Sequence, residues 1–329
     1  MERSQLRKRI FARHSESSFL ELALEIFQYQ FENNSFYRSF VEGCKVDPKK
    51  VKELNEIPFL PVELFKSNEI KTGEFQPEAI FTSSTTTGSI SSKHFIRDLE
   101  LYEESFMRSF IHFYGDPSDY VFLALLPSYL ERSGSSLIYM MEKLISESTD
   151  LRSGFFLNEF DKLNNLLVQL KSENKKVVLV GVTYALLDFV EKHSINFPEL
   201  IVMETGGMKG KRKEMVRDEV HEILKPAFGV LSIHSEYGMT ELLSQAYSKG
   251  HGIFETPPWM RILVREMNDP LNIAALGRSG AINIIDLANL DSCAFIATQD
   301  LGKLVNDTAF EVIGRFDYSD IRGCNLMVE

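Results

Sequence analysis

Residues 81–98 read FTSSTTTGSISSKHFIRD, and nine of the eleven positions from Thr82 to Ser92 carry a hydroxyl around a single glycine. Lys93 and His94 follow at once. Backbone N–H groups and short hydroxyls of this kind can converge on phosphate oxygens without bulky side chains in the way. The same composition also suits a flexible linker, which would separate two compact units. The spacing is not that of a Walker A loop, because Gly88 stands alone and Lys93 comes five residues after it.

Three further groups have chemical potential. In TGGMKGK (205–211), Gly206 and Gly207 let the backbone pass close to a planar ligand or turn sharply. In YGMTELLSQAY (237–247), Tyr237 can stack on a base, Thr240 can contact a phosphate and Glu241 can hold Mg²⁺, a hard cation that takes oxygen ligands. A turn followed by a helix cap explains that segment equally well. In AFIATQDLGKL (294–304) and IGRFDYSDIRGCNL (313–326), Asp300 can accept from ribose hydroxyls and Arg315 can donate to a sugar or phosphate. Asp300 can also be a plain turn residue.

The elements that must position these groups follow from periodicity. Phe19, Ala23, Ile26 and Phe27 predict an amphipathic helix over 17–33. The prolines of IPFLPVELFKS predict an extended, irregular connection over 57–67. Apolar runs at 120–126, 177–181, 200–204 and 230–236 alternate with helical patterns near 134–148, 184–192 and 213–224. That alternation predicts parallel strands with crossover helices, with ligands beyond the carboxyl ends of the strands. After residue 260 short extended segments separated by Gly, Asn and Asp predict a small antiparallel or barrel-like subdomain. The expected division is therefore an α/β core over 1–260 and a small β subdomain over 261–329.

Composition narrows the function. A net charge of -11 disfavours a nucleic-acid partner. No run approaches the roughly eighteen apolar residues of a membrane span, and the basic start MERSQLRKRIFARH lacks an apolar stretch behind it, so a cytoplasmic protein is expected. Cys44, Cys293 and Cys324 show neither an even count nor C-x-x-C spacing, and are expected to be reduced thiols. The 25 phenylalanines are expected to pack the core.

Taken in order, SSTTTG, TGGMKG, YGMTE, TQDLG and GRFD resemble the signatures of adenylate-forming enzymes, the superfamily of acyl-CoA synthetases, firefly luciferase and peptide-synthetase adenylation domains. More narrowly, IPFLPVELFKS, SSKH, LLPSYLERSGSSLIYMM, ETGGMKGKRKEMVRDEVH, EYGMTELLSQAY and RGCNLMVE resemble the LuxE-type acyl-protein synthetases, from roughly residue 20 onward. One departure is Thr85, which stands where the superfamily loop usually has glycine; a position needing φ > 0 would make threonine costly.

The resemblance implies an α/β fold of the adenylate-forming N-terminal type, with parallel sheets flanked by helices. It also implies ATP and Mg²⁺ as cofactors and activation of a small carboxylic acid, fatty or aryl, as its acyl-adenylate. By resemblance, Ser83, Ser84, Thr86, Thr87 and Gly88 cradle phosphate, and Gly206, Gly207, Tyr237 and Gly238 surround adenine. Thr240 and Glu241 serve the α-phosphate and Mg²⁺, Asp300 and Arg315 hold ribose, and Lys93 and His94 contact phosphate or carboxylate. Larger superfamily members continue into a mobile C-terminal domain with a catalytic lysine, which is expected to be absent from a chain ending fifteen residues after Gly314.

In the acyl-protein synthetases a cysteine near the C-terminus receives the acyl group before a partner reductase does, and Cys324 in RGCNLMVE resembles it. Transfer to CoA or to a carrier-protein thiol is an alternative. A non-catalytic subunit that keeps the fold is another, suggested by Thr85 and the expected lack of the lysine.

Overall fold

The structure, a computed structural model, describes residues 2–83, 90–127, 134–208, 211–267 and 272–315. Ser84, Thr85, Thr86, Thr87, Gly88 and Cys324 therefore lie outside the described residues. The chain begins with α1 (Arg3–Ile10), α2 (Glu16–Asn33), α3 (Ser35–Gly43) and β1 (Leu60–Pro61). The strands β2 (Ala79–Thr82) and β3 (Lys93–Ile96) precede α4 (Leu99–Tyr114), β4 (Tyr120–Leu125), α5 (Ser136–Glu147), β5 (Gly154–Phe156) and α6 (Phe160–Ser172). Next come β6 (Lys176–Val182), α7 (Thr183–Val190), β7 (Ile201–Thr205), α8 (Arg217–Phe228), β8 (His234–Tyr237), β9 (Ala246–Ser248) and β10 (Ile253–Glu255). The last strands are β11 (Met260–Arg265), β12 (Ser279–Asp286), β13 (Phe295–Leu304) and β14 (Ala309–Arg315).

Two compact units result, one made of residues up to Phe75 together with those from Pro258 onward, the other of Gln76–Pro257. In the first, α2 starts at a capping box, where Ser15 Oγ accepts from Ser18 N at 3.2 Å and Ser15 N donates to Ser18 Oγ at 2.8 Å. Its apolar face buries Phe19, Ala23, Ile26 and Phe27, as the periodicity predicts. The buried Gln30 amide donates to the oxygens of Asn289 and Leu290 and accepts from Ala294 N, so a polar side chain satisfies buried backbone. Strands β11 to β14 form the expected antiparallel meander.

The segment 57–67 is more ordered than its prolines suggest. Leu60 and Pro61 pair in parallel with Ile296 and Ala297 of β13, and a short 3₁₀ helix follows at Val62–Lys66. Thus the first 75 residues form one unit with the strands after 258. The reason is long-range pairing, which no local pattern reports.

In the second unit the strand order is β10-β9-β8-β7-β6-β4-β5. Strands β4 to β8 pair in parallel, and β9 and β10 close the edge antiparallel. Val121–Leu125 and Val177–Val182 are buried throughout, as expected of parallel strands covered on both faces. Two boundaries differ from the sequence reading. Helix α8 runs Arg217–Phe228 where 213–224 was expected, and β8 begins only at His234 because the chain near Val230 closes that helix, with Val230 N donating to Lys225 O.

Candidate active site

The hydroxyl-rich stretch joins β2 to β3, whose residues Phe81↔His94 and Thr82↔Lys93 are antiparallel partners within one unit. Ser83 N donates to Ser92 O at 3.1 Å and Ser92 N to Ser83 Oγ at 2.9 Å, which carries the pairing further. The two strands that flank this stretch pair with each other inside one unit. The linker reading, which requires a compact unit on either side, is thereby corrected.

Lys93 is exposed, whereas His94 is buried, and its Nδ1 lies 2.8 Å from the main-chain oxygen of Thr240. The β2–β3 pair and the YGMTE turn are thus brought together. That turn leads from β8 into β9, with Tyr237 paired to Ala246, so no helix follows it and the helix-cap alternative is set aside. Leu242 N donates to Met239 O, and Ser244 Oγ meets Ser105 Oγ of α4 at 3.0 Å, which ties the turn down. Glu241 is buried, and Tyr237 is buried with its ring edge-on to Phe254 at 5.8 Å.

At the carboxyl end of the neighbouring β7, Gly206 takes a φ of 71°, a left-handed conformation that favours glycine. A Cβ on Gly207 would meet only open space. Thr183, which begins α7 after β6, donates to Glu204 Oε2 at 2.9 Å and approaches Gly206 O at 3.2 Å. The ends of β6 and β7 are therefore linked through the Thr183 hydroxyl.

Two glutamates on these strand ends were not singled out from the sequence. Glu204 Oε1 accepts from Ser235 Oγ at 2.8 Å and Arg217 Nε at 3.2 Å, and His221 Nε2 stands 3.7 Å away, too far for a hydrogen bond but within ion-pair range. Burial acts to raise its pKa, but His221, Arg217 and the hydroxyls of Ser235 and Thr183 together hold it below the usual carboxylate range. Glu236 has a different setting. Its Oε2 accepts from Thr205 Oγ1 at 2.7 Å, and burial pushes its carboxyl up to about 7, against the Thr205 hydrogen bond and with help from the charge of Glu204. A Cβ on Gly238 would come within 2.4 Å of Glu236 Oε1, so the carboxyl lies against the open face of that glycine. The available signal was a carboxylate next to last in each strand, Glu204 in IVMET and Glu236 in HSEY.

In the other unit Asp300 and Arg315 are cross-strand partners of β13 and β14. Asp300 N donates to Thr298 Oγ1 at 3.1 Å and Arg315 Nη2 to Gln299 Oε1 at 3.1 Å. The two expected ribose ligands are therefore neighbours. Cys44 is partly buried, and Cys293 is fully buried with its thiol pushed up to about 12 by desolvation, so neither has the depressed pKa of an activated thiol. Among the described residues no helix is long and apolar enough to cross a membrane.

This architecture is the fold of the N-terminal domains of adenylate-forming enzymes. The structure superposes on 2-hydroxyisobutyryl-CoA ligase in complex with 2-HIB-AMP and CoA with a TM-score of 0.65 at 14% identity, covering 92% of this chain and 70% of the ligase. It superposes on ATP-bound MatB from Rhodopseudomonas palustris with a TM-score of 0.55 at 17% identity, covering 72% of this chain and 48% of MatB, so the chain spans about half of that protein's length. Within that fold, residues 12–101 match the family described as acyl-protein synthetase, LuxE. No curated protein sequence matches the chain.

Proposed function

We propose that the chain activates a carboxylic acid with ATP and passes the acyl group to a thiol. The acid's carboxylate oxygen attacks the α-phosphorus, a new P–O bond forms as the bond to pyrophosphate breaks, and the thiolate then displaces AMP from the acyl carbon. The observation that carries this reading is the placement of the TGG and YGMTE turns at the carboxyl ends of adjacent parallel strands, where ligands of such sheets bind. The match of residues 12–101 to the acyl-protein synthetase family supports it further.

In this reading Ser83, Ser84, Thr86, Thr87 and Gly88 cradle phosphate with Lys93 beside them, while Gly206, Gly207, Tyr237 and Gly238 enclose adenine. Asp300 and Arg315 take the ribose. Thr240 and Glu241 face the α-phosphate, and His94 keeps Thr240 in place through its carbonyl. The donor set suits a Mg²⁺ that arrives with its nucleotide: Glu241 and Thr240 offer hard oxygens, and among the described residues no three His, Cys, Asp or Glu form a cage of their own. When bound, the ion offsets the negative charge of the phosphates.

Cys324 is the proposed acceptor, handing the acyl group to a partner such as an acyl reductase. Delivery to CoA is the second reading, favoured by the likeness to a ligase captured with CoA; a carrier-protein thiol is chemically equivalent. ATP–pyrophosphate exchange across a panel of fatty and aryl acids tests the first step. Cys324→Ser should keep exchange and lose hydroxylamine-sensitive labelling by radioactive acid plus ATP, because a serine hydroxyl without an adjacent base stays protonated. Full labelling of the variant, or release of acyl-CoA by wild type, moves the assignment to a soluble thiol.

A further inference from the structure

Strand β13 is not a regular partner of β12. Asn283 pairs with Ala297 and Ala281 with Leu301, so Ile282 by itself lies opposite Thr298, Gln299 and Asp300. Three residues opposite one make a large bulge, and a bulge breaks the ladder and re-aims the side chains it carries. Both residues read above as ribose ligands hang on it. Asp300 closes the bulge and is the cross-strand partner of Arg315, while Gln299 Oε1 at its centre accepts from Arg315 Nη2 at 3.1 Å.

A bulge of this size takes main-chain groups away from their ladder partners, and they must be satisfied in another way. Arg265 meets that need. It stands on β11, in register with Ala281, and its guanidinium reaches over β12 to β13. Nη1 donates to Ile282 O at 2.9 Å and to Asn283 Oδ1 at 2.6 Å, and Nη2 donates to Thr298 O at 2.7 Å. Thr298, 1% exposed, completes the brace: its Oγ1 donates to Ile282 O at 2.9 Å and accepts from Asp300 N at 3.1 Å. Main-chain atoms at both ends of the bulge are thus fixed. Regular pairing of β12 with β13 would satisfy Ile282 O and Thr298 O without any side chain, so the arginine sustains a departure from the ladder and not the ladder itself.

We infer that Arg265, acting with Thr298, is a positioning residue for Asp300: it holds the β13 bulge in the backbone arrangement that presents Asp300 to the nucleotide. The inference rests on the proposed function, in which Asp300 takes the ribose, and gives two further residues a part in nucleotide binding that is exerted through Asp300. A planar fork of donors suits three acceptors at fixed positions.

The test is calorimetric titration of the full chain with ATP, run as a double-mutant cycle between Arg265→Gln and Asp300→Ala. Arg265→Gln should raise the Kd for ATP about tenfold in the wild-type background and by no more than about twofold once Asp300 is replaced, since residues that act through one group are not additive. Damage spread through the meander would instead lose the same factor in both backgrounds. Should Arg265→Gln fail to fold, the Thr298 pair decides: Thr298→Val, without a hydroxyl, should weaken ATP binding about tenfold, and Thr298→Ser, which keeps it, should stay within about twofold of wild type. Equal losses in both backgrounds, wild-type affinity in Arg265→Gln, or Thr298→Val and Thr298→Ser that bind alike overturn this inference and leave acid activation standing. So does an Asp300→Ala variant that binds ATP as wild type does. A wild type that binds no ATP overturns the activation reading and this inference with it.

Discussion

His94 Nδ1 and the main-chain oxygen of Thr240, 146 residues apart in sequence, lie 2.8 Å from each other. A main-chain oxygen can only accept, so Nδ1 carries the proton and the imidazole is held in one tautomer. The contact ties the strand that leaves the hydroxyl-rich loop to the turn that carries Thr240 and Glu241.

His94→Ala should therefore lower the melting temperature by the equivalent of about 1–2 kcal/mol, the cost of leaving a buried carbonyl unpaired. It should also reduce exchange through kcat. His94→Asn, whose amide N–H can occupy the place of Nδ1–H, should restore much of both. If His94→Asn and His94→Ala behave alike and neither moves kcat, the contact does not position the turn.

Glu241→Gln should abolish pyrophosphate exchange while leaving the melting temperature close to wild type, because a carboxylate that serves Mg²⁺ becomes a neutral amide of similar size. Normal exchange in this variant would remove Glu241 from the metal-binding role.

Asp300→Asn should mainly weaken ATP binding, since a charged acceptor for ribose hydroxyls is stronger than a neutral one. Calorimetric titration with ATP reads this directly. Unchanged affinity would leave Asp300 as a strand residue paired with Arg315.

The two strand-end glutamates predict opposite pH effects on stability. Glu204, held below its ordinary value of 4.5, binds fewer protons folded than unfolded, so its stabilisation is present above pH 4.5 and is lost as pH falls through its folded pKa. Glu236, raised from 4.5 to about 7, binds more protons folded than unfolded. Its contribution is complete below pH 4.5 and declines as pH rises through 7, by at most roughly 3 kcal/mol. Melting curves from pH 4 to 8 should show Glu236→Gln gaining on wild type as pH rises. Glu204→Gln should lose most above pH 5. A parallel pH dependence in the two variants would contradict this assignment.

Much of the fold is legible in local pattern, because burial imposes periodicity. The short apolar runs at 120–126 and 177–181, set between turn residues and alternating with helical patterns, read as strands covered on both faces, and the 3–4 spacing of Phe19, Ala23, Ile26 and Phe27 reads as one face of a helix. The glycine turns, the hydroxyl loop and their order along the chain are equally local, and they were enough to nominate the site. Long-range placement is different in kind. That Leu60 would pair with Ile296, that β8 would lie beside β7, and that His94 would reach Thr240 depends on strand order and register, which periodicity does not encode. The sharpest case is the glutamate pair. As letters Glu204 and Glu236 are the same residue, each next to last in its strand; packing gives one of them an arginine and a histidine and the other a threonine hydroxyl and a glycine, and that difference in surroundings separates their protonation.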